Sequence, residues 1–381
     1  METITWNQQV VKKNNKALVL QLIMEKEPIS RADIAQVSGL NKATVSSLVN
    51  ELLAADLVYE SGPGESSGGR RPVILHFNKI AGYSIGIDIG VNYVLCVLTD
   101  LKGNIVIEKN QSVHKTPYAT TIEIVKDMIQ SLIDEMPSSR YGIVGIGVGV
   151  PGIVNKEGSV LLAPNLGWKN TQIKKDLEDL LHVPVIIENE ANAGAFGEQQ
   201  FGIGQDYQNI IYISAGIGIG VGIILNKELY QGKNGFSGEM GHMIIDINGK
   251  PCNCGSRGCW EAYASEQALL KNAGENSNSL ENLIQLANSD DKNAQNLFTE
   301  IGVYLGYGIN NIINTFNPDQ VIIGNRLSMA KEWIEQPILS TIENHSLAFH
   351  QNEFQLDFSK LGKHSIAIGM SAFVVENFIK A

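Results

Sequence analysis

Helical spacing of apolar residues governs the first fifty positions, and strand-like runs take over near residue 80. Between residues 12 and 25, Leu18, Leu22 and Ile23 recur at helical intervals, and Pro28 ends the run because its ring cannot continue the hydrogen-bond ladder. Ser30, followed three residues later by Asp33, approaches a capping box and starts a second helix whose apolar face is Ile34, Ala35 and Val37. In Ser38-Gly39-Leu40 the glycine supplies the positive φ of a tight turn, and Asn41 caps a third helix reaching about Ala54. Val45, Leu48, Leu52 and Leu53 form its inward stripe. Asn41, Lys42, Thr44, Ser46, Ser47 and Asn50 are left facing outward, side chains suited to base edges and phosphates at the start of a recognition helix. Arg31 joins them from the second helix. Residues 57–60 and 73–77 then read as the strands of a hairpin, and the small polar run between them ends in Arg70 and Arg71, placed to lay guanidinium groups against phosphates or in a minor groove. Helix, capped helix, tight turn, polar-faced helix and basic wing occur in order, which predicts a winged helix-turn-helix over residues 1–80 with DNA as its partner.

From Gly82 the period changes. Buried strands are predicted at 83–90 and 94–100, with Leu101-Lys102-Gly103-Asn104 turning into a third, and a helix follows over about 120–135. A strand at 143–148 leads into Gly149-Val150-Pro151-Gly152, and one at 183–187 leads through Glu188-Asn189-Glu190 into a helix. A strand at 210–214 opens a glycine-rich loop over 215–222. This alternation predicts α/β architecture with ligands held where strands end.

The remaining bulk properties refine this picture. A length of 381 residues exceeds one ordinary core, so more than one domain is expected. The net charge of -11 argues against a nucleic-acid partner only until it is divided along the chain. Residues 1–77 carry eight basic and eight acidic side chains, so the acidity belongs to the body and the head is neutral. No apolar run is long enough to cross a bilayer, and residues 1–10 lack the basic patch and apolar core of a signal peptide, which predicts a cytoplasmic protein with no membrane partner. Four cysteines are too few for a disulfide framework, and three crowd between Cys252 and Cys259, as metal ligands in a reducing compartment would.

Gly238-Glu239-Met240-Gly241-His242, followed by Cys252-Asn253-Cys254-Gly255-Ser256-Arg257-Gly258-Cys259-Trp260-Glu261, resembles the zinc segment of the ROK proteins, a family of repressors and sugar kinases. The resemblance covers nearly the whole chain. It implies a two-lobed, actin-like (ribonuclease-H-like) body over residues 81–381, with lobes at about 81–190 and 191–381 and a zinc loop at 242–259. One imidazole and three thiols, from His242, Cys252, Cys254 and Cys259, suffice for a closed tetrahedral structural zinc site. The resemblance also implies a sugar site of Asn165, Asn189, Glu190, Glu239, His242 and Glu261, whose amides and carboxylates suit adjacent hydroxyls.

The phosphate loops depart from the kinase pattern. Where ROK kinases carry Asp-x-Gly-Gly-Thr, this chain has Asp88-Ile89-Gly90-Val91-Asn92-Tyr93, and Val91 and Tyr93 obstruct the close backbone approach that phosphate requires. In the second loop Ile217 and Val221 put apolar side chains where the kinases carry threonine and glycine, Asn325 replaces a glycine of the nucleotide site, and Glu190 replaces the kinases' aspartate base. No ATP cofactor and no catalytic residue are therefore expected. The expected function is a homodimeric transcriptional repressor, released from operator DNA by xylose or a related monosaccharide. A sugar kinase retaining a DNA-binding head, and a constitutive DNA binder with a vestigial body, are the alternatives.

Overall fold

A computed structural model describes residues 8–63, 73–113, 116–274, 279–347, 349 and 354–381. The head consists of α1 (Gln8–Lys26), α2 (Arg31–Ser38), α3 (Lys42–Ala54) and a small antiparallel sheet in the order β1 (Ile29–Ser30), β3 (Val73–Phe77), β2 (Val58–Pro63). The local signals act as their chemistry requires. Ser30 Oγ accepts from Asp33 N–H while Asp33 accepts from Ser30 N–H, closing the capping box. Gly39 takes φ 71° at the end of α2, and Asn41 Oδ1 accepts from Thr44 N–H at 2.8 Å to cap α3. Val45, Leu48, Val49 and Leu52 fill the head's core from α3, whereas Leu53 is half-buried.

The apolar stripes of α1 and α2 differ from the expectation. Leu18 is 39% exposed and Val37 51%, and α1 instead buries Val19, Leu20, Leu22 and Ile23. The cause is tertiary: α1 packs against α2, α3, β3 and the last helix of the body, so its buried face is set by partners on more than one side.

The body holds two five-stranded sheets of the same design. In the first, Tyr83–Ile89 pairs antiparallel with Tyr93–Asp100, which pairs antiparallel with Ile105–Ser112; on its other side it pairs parallel with Ile143–Val150, and that strand with Val185–Asn189. In the second, Ile210–Ala215 has Ile219–Leu225 and Glu228–Leu229 on its antiparallel side and Gln320–Gly324 and Gln355–Phe358 on its parallel side. The stretch expected as a loop at 215–222 is mostly strand, with only residues 216–218 turning. Apolar residues at 217, 219, 221 and 223 alternate with the two-residue period of a strand. The intervening glycines admit a helix: a Cβ on Gly222 would lie 2.3 Å from Ala191 O.

Two helices join the sheets. The crossing helix (Glu190–Phe201) lies on the second sheet, the C-terminal helix (Ser365–Lys380) lies on the first, and the two pack against each other. The layers therefore run sheet, helix, helix, sheet. The C-terminal helix continues into the head, where Val375 is buried and Phe378 and Ile379 pack against the same core as Val19, Leu52 and Leu75. Leu52, fully buried there, is a sensitive point. Leu52→Ala is expected to destabilise the head by about 2–5 kcal/mol, read as an earlier urea transition that takes operator binding with it. Unchanged denaturation would contradict this account of the core.

Candidate functional site

The cleft between the lobes contains a cavity of about 450 Å³, and all six residues expected at a sugar site line it. They reach the cleft from several local structures. Asn189 ends the last strand of the first sheet and caps the crossing helix, its Oδ1 accepting from Ala191 N–H at 2.8 Å and Asn192 N–H at 3.3 Å while its Nδ2 donates to Gly152 O at 2.9 Å. One N–H of that amide is left for a ligand. Glu190 occupies the helix's first turn. Asn165 sits in the short 3-10 turn Pro164–Leu166, and Glu239 and His242 in the turn Glu239–His242. Glu261 Oε2 accepts from Ile219 N–H at 3.0 Å, and a Cβ on Gly218 would lie 2.4 Å from that carboxylate oxygen, so glycine is required where the hairpin turn passes it.

The cavity continues beyond these six. Gly90, Val91, Asn92, Tyr93, Ile217, Asn325 and Arg326 line its far end, where the resemblance places phosphate in kinases. Tyr93 closes part of it. Its ring lies where a Cβ on Gly90 would come within 2.4 Å, and its hydroxyl donates to Asp88 Oδ2 at 2.7 Å. Asp88 is fully buried, and its Oδ1 has no partner among the described residues. Burial pushes this carboxyl up to about 7 against the lowering effect of the tyrosine bond. Glu190 is pushed up to about 8, first by burial and then by the charge of Asp88, with the Ser214 hydroxyl bond at 3.1 Å opposing.

Three contributors escaped sequence reasoning. Ser214 bonds Glu190 and accepts from Asn325 Nδ2 at 2.9 Å, linking the residue that stands at the kinases' base position to the position where glycine is missing. Arg326 also lines the cavity, but its guanidinium is engaged by Glu266 at 2.8 Å and Glu281 at 3.0 Å. Glu188 accepts from Asn192 Nδ2 at 3.0 Å and from Gln231 Nε2 at 2.5 Å, bracing the strand end that carries Asn189. Asn325 was legible only as a departure from a pattern, and Ser214 and Arg326 offered no local signal.

Beside the cleft, ligand atoms of His242, Cys252, Cys254 and Cys259 all lie within 4.8 Å of one another, a group able to hold a metal ion. Cys254 and Cys259 Sγ are 3.7 Å apart, close to the roughly 3.8 Å that tetrahedral thiolates take around a centre with 2.3 Å bonds. His242 Nδ1 faces Cys252 Sγ at 3.7 Å, while Nε2 lies 4.0 Å from Glu239.

On the head, α3 presents Asn41, Lys42, Ser47 and Asn50 as exposed residues, with Thr44 and Ser46 half-buried. Asn41 spends its carbonyl oxygen on the cap, leaving only its amide N–H groups to face outward. Arg31 pairs with Glu60 on β2 at 2.9 Å, which holds it at the base of the wing. Arg70 and Arg71 lie outside the described residues.

Residues 84–377 match the ROK family, and residues 13–71 match the MarR family. A xylose repressor of Bacillus spizizenii is 47% identical over 375 residues, 98% of either chain. Among solved structures, a ROK family transcriptional regulator homologous to the Escherichia coli MLC protein superposes with a TM-score of 0.83 at 30% identity, covering 97% of both chains. A ROK family glucokinase from Streptomyces griseus, in complex with glucose and AMPPNP, covers 77% of this chain and 99% of its own, with a TM-score of 0.71 at 27% identity.

The raised Asp88 carboxyl gives a signed pH effect. The folded protein holds a proton that the unfolded chain releases near the ordinary 3.8, so this group's contribution to stability is full below that value and is lost as pH rises towards about 7. Asp88→Asn removes this loss. Its urea midpoint is expected to fall less than that of the parent between pH 5 and pH 8, by an amount equivalent to on the order of 2 kcal/mol. Parallel pH profiles would show that Asp88 ionises freely when folded.

Proposed function

Because the chain belongs to the ROK family, we propose that it is a sugar-responsive transcriptional repressor whose winged helix binds operator DNA and lets go when a neutral monosaccharide, xylose first, fills the interlobe cleft. The observation that carries this reading is the union in one chain of a polar-faced recognition helix with a cleft that gathers six sugar-type ligands. Asn165, Asn189, Glu190, Glu239, His242 and Glu261 would share the sugar's hydroxyls. Asn41, Lys42, Thr44, Ser46, Ser47 and Asn50 on the helix, with Arg31, Arg70 and Arg71 about the wing, would contact operator DNA. Lysine and arginine here supply the salt-dependent phosphate term, and the short amides and hydroxyls read base edges. Two copies reading a palindromic operator would form a homodimer in the cytoplasm.

Sugar can release DNA only through its differential affinity for a conformation in which the head no longer fits the operator. Closure of the lobes on a monosaccharide supplies such a difference, because the six residues come from both sides of the cleft and meet one ligand only when the sides approach. Phosphoryl transfer is the less favoured use of the cavity, since Tyr93 occupies the loop beside Asp88 and Ile217 offers no hydrogen bond to a phosphate oxygen.

The metal proposed for His242, Cys252, Cys254 and Cys259 is structural zinc. Three soft thiols and one imidazole suit that ion, and four protein ligands leave no position for a reactive water. With Nδ1 on the metal, His242 keeps its Nε2–H towards Glu239 and the cleft, so the same ring would orient a carboxylate for sugar.

Anisotropy titrations of labelled operator against a panel of pentoses and hexoses, at fixed salt, test the main reading. Xylose is expected to weaken operator binding by at least about tenfold, equivalent to about 1.4 kcal/mol. Indifference to every sugar, or sugar-dependent ATP turnover at kinase rates, would overturn it. For the metal, Cys254→Ser is expected to lower bound zinc below one equivalent and weaken sugar binding while operator binding in sugar-free buffer persists. Full zinc content in that variant would remove Cys254 from the ligand set.

A further inference from the structure

The crossing and C-terminal helices meet almost backbone to backbone. A Cβ on Gly369 would lie 1.8 Å from Ala193 O, and one on Gly197 would lie 2.4 Å from Ser365 O. The C-terminal helix is seated as closely on the first sheet, where a Cβ on Gly86 would lie 1.8 Å from Ala367 O and one on Gly147 2.4 Å from Met370 O. No flexible side chain cushions either contact. A displacement of the crossing helix therefore cannot be absorbed by rotamer changes at these points, and it passes to its neighbour as a rigid shift.

Each end of this stack is fastened. Asn189 and Glu190 begin the crossing helix inside the cleft. Near its other end, the buried carboxylate of Glu198 accepts from Ser359 Oγ at 2.5 Å, Leu361 N–H at 3.0 Å and Ser365 Oγ at 3.2 Å, tying it to the start of the C-terminal helix. That helix, sixteen residues long, ends in the head. Phe378 meets the Tyr141 ring edge-on at 5.2 Å, Tyr141 donates to Ala55 O at 2.8 Å just beyond α3, and Ile379 and Val375 join the head's core.

We propose that the stacked crossing and C-terminal helices carry the sugar signal to DNA, with Phe378 and Tyr141 as the positioning residues that convert a shift of the body into a shift of α3. Resting on the sugar-released reading above, this adds the route by which release occurs. Neither residue touches the cleft or belongs to the outward face of α3. Both act on coupling between the two sites, leaving the affinity of each alone intact.

The test is a thermodynamic cycle on the full-length protein. Operator Kd is measured with and without saturating xylose, and xylose Kd with and without operator; linkage requires the two ratios to agree, at about 5–150-fold for ordinary allosteric coupling. Phe378→Ala is expected to bring both ratios to within about twofold of unity, while xylose Kd on free protein and operator Kd in sugar-free buffer stay within about threefold of the parent. Tyr141→Phe, which deletes only the hydroxyl bond to Ala55, keeps the question open if Phe378→Ala fails to fold, and is expected to lower both ratios at least about threefold. Folded variants with parental ratios would overturn the assignment. A parent protein whose operator binding ignores every sugar would instead defeat the sugar-released reading itself.

Discussion

The packing of one helix against another, with carbonyl oxygens where side chains would ordinarily stand, is the constraint on which the body depends. Gly197 and Gly369 allow it, and bulk at either position would separate the two sheets that the helices carry. The cleft exists because those sheets are held face to face with only two helix thicknesses between them. Its ligands follow from the same arrangement, since Asn189 and Glu190 sit at the start of one helix while Glu261 and His242 hang from the second lobe. The head is drawn into this system because the other helix ends in its core, so one close contact governs the shape of the cleft and the seat of the head.

A second determinant is electrostatic. Asp88 is fully buried and Glu190 half-buried at the cleft, and burial raises both carboxyls. Tyr93 relieves part of that cost with a hydrogen bond, and its ring fills space beside Gly90. The far end of the cavity is thus partly filled by the protein's own side chain. Asn325 and Ser214 form a separate hydrogen-bonded set with Glu190, and Arg326 is held by two glutamates.

Features of this molecule that depend on few neighbours were legible in the sequence. The capping box at Ser30, the positive φ of Gly39 and the cap at Asn41 are decided within a few residues, and the Cys252–Cys259 spacing brings its thiols together by chain geometry alone. The family pattern placed the six cleft residues. What escaped was decided at long range: the exposure of Leu18 and Val37 depends on which partners surround α1 and α2, and Ser214 acquires its role from Glu190 and Asn325, far along the chain. The strand at Ile219–Leu225 was obscured because its glycines, needed to admit a helix, imitate those of a loop. Its alternating apolar residues, Ile219, Val221 and Ile223, carried the correct signal.

The union of head and C-terminal helix also bears on how the protein is made. Val375, Phe378 and Ile379 complete a core whose other members lie within the first 150 residues. At about 5–20 residues per second, a ribosome needs roughly 15–60 seconds to travel from the head to those last contributors. Through that interval the nascent head has its helices and caps but not its full apolar cover. A chain broken off anywhere in the body leaves the head permanently short of these contacts and open to proteolysis. Synthesis thereby favours repressors that carry their sensor, since the DNA-binding unit reaches full stability only when the sensing body is finished.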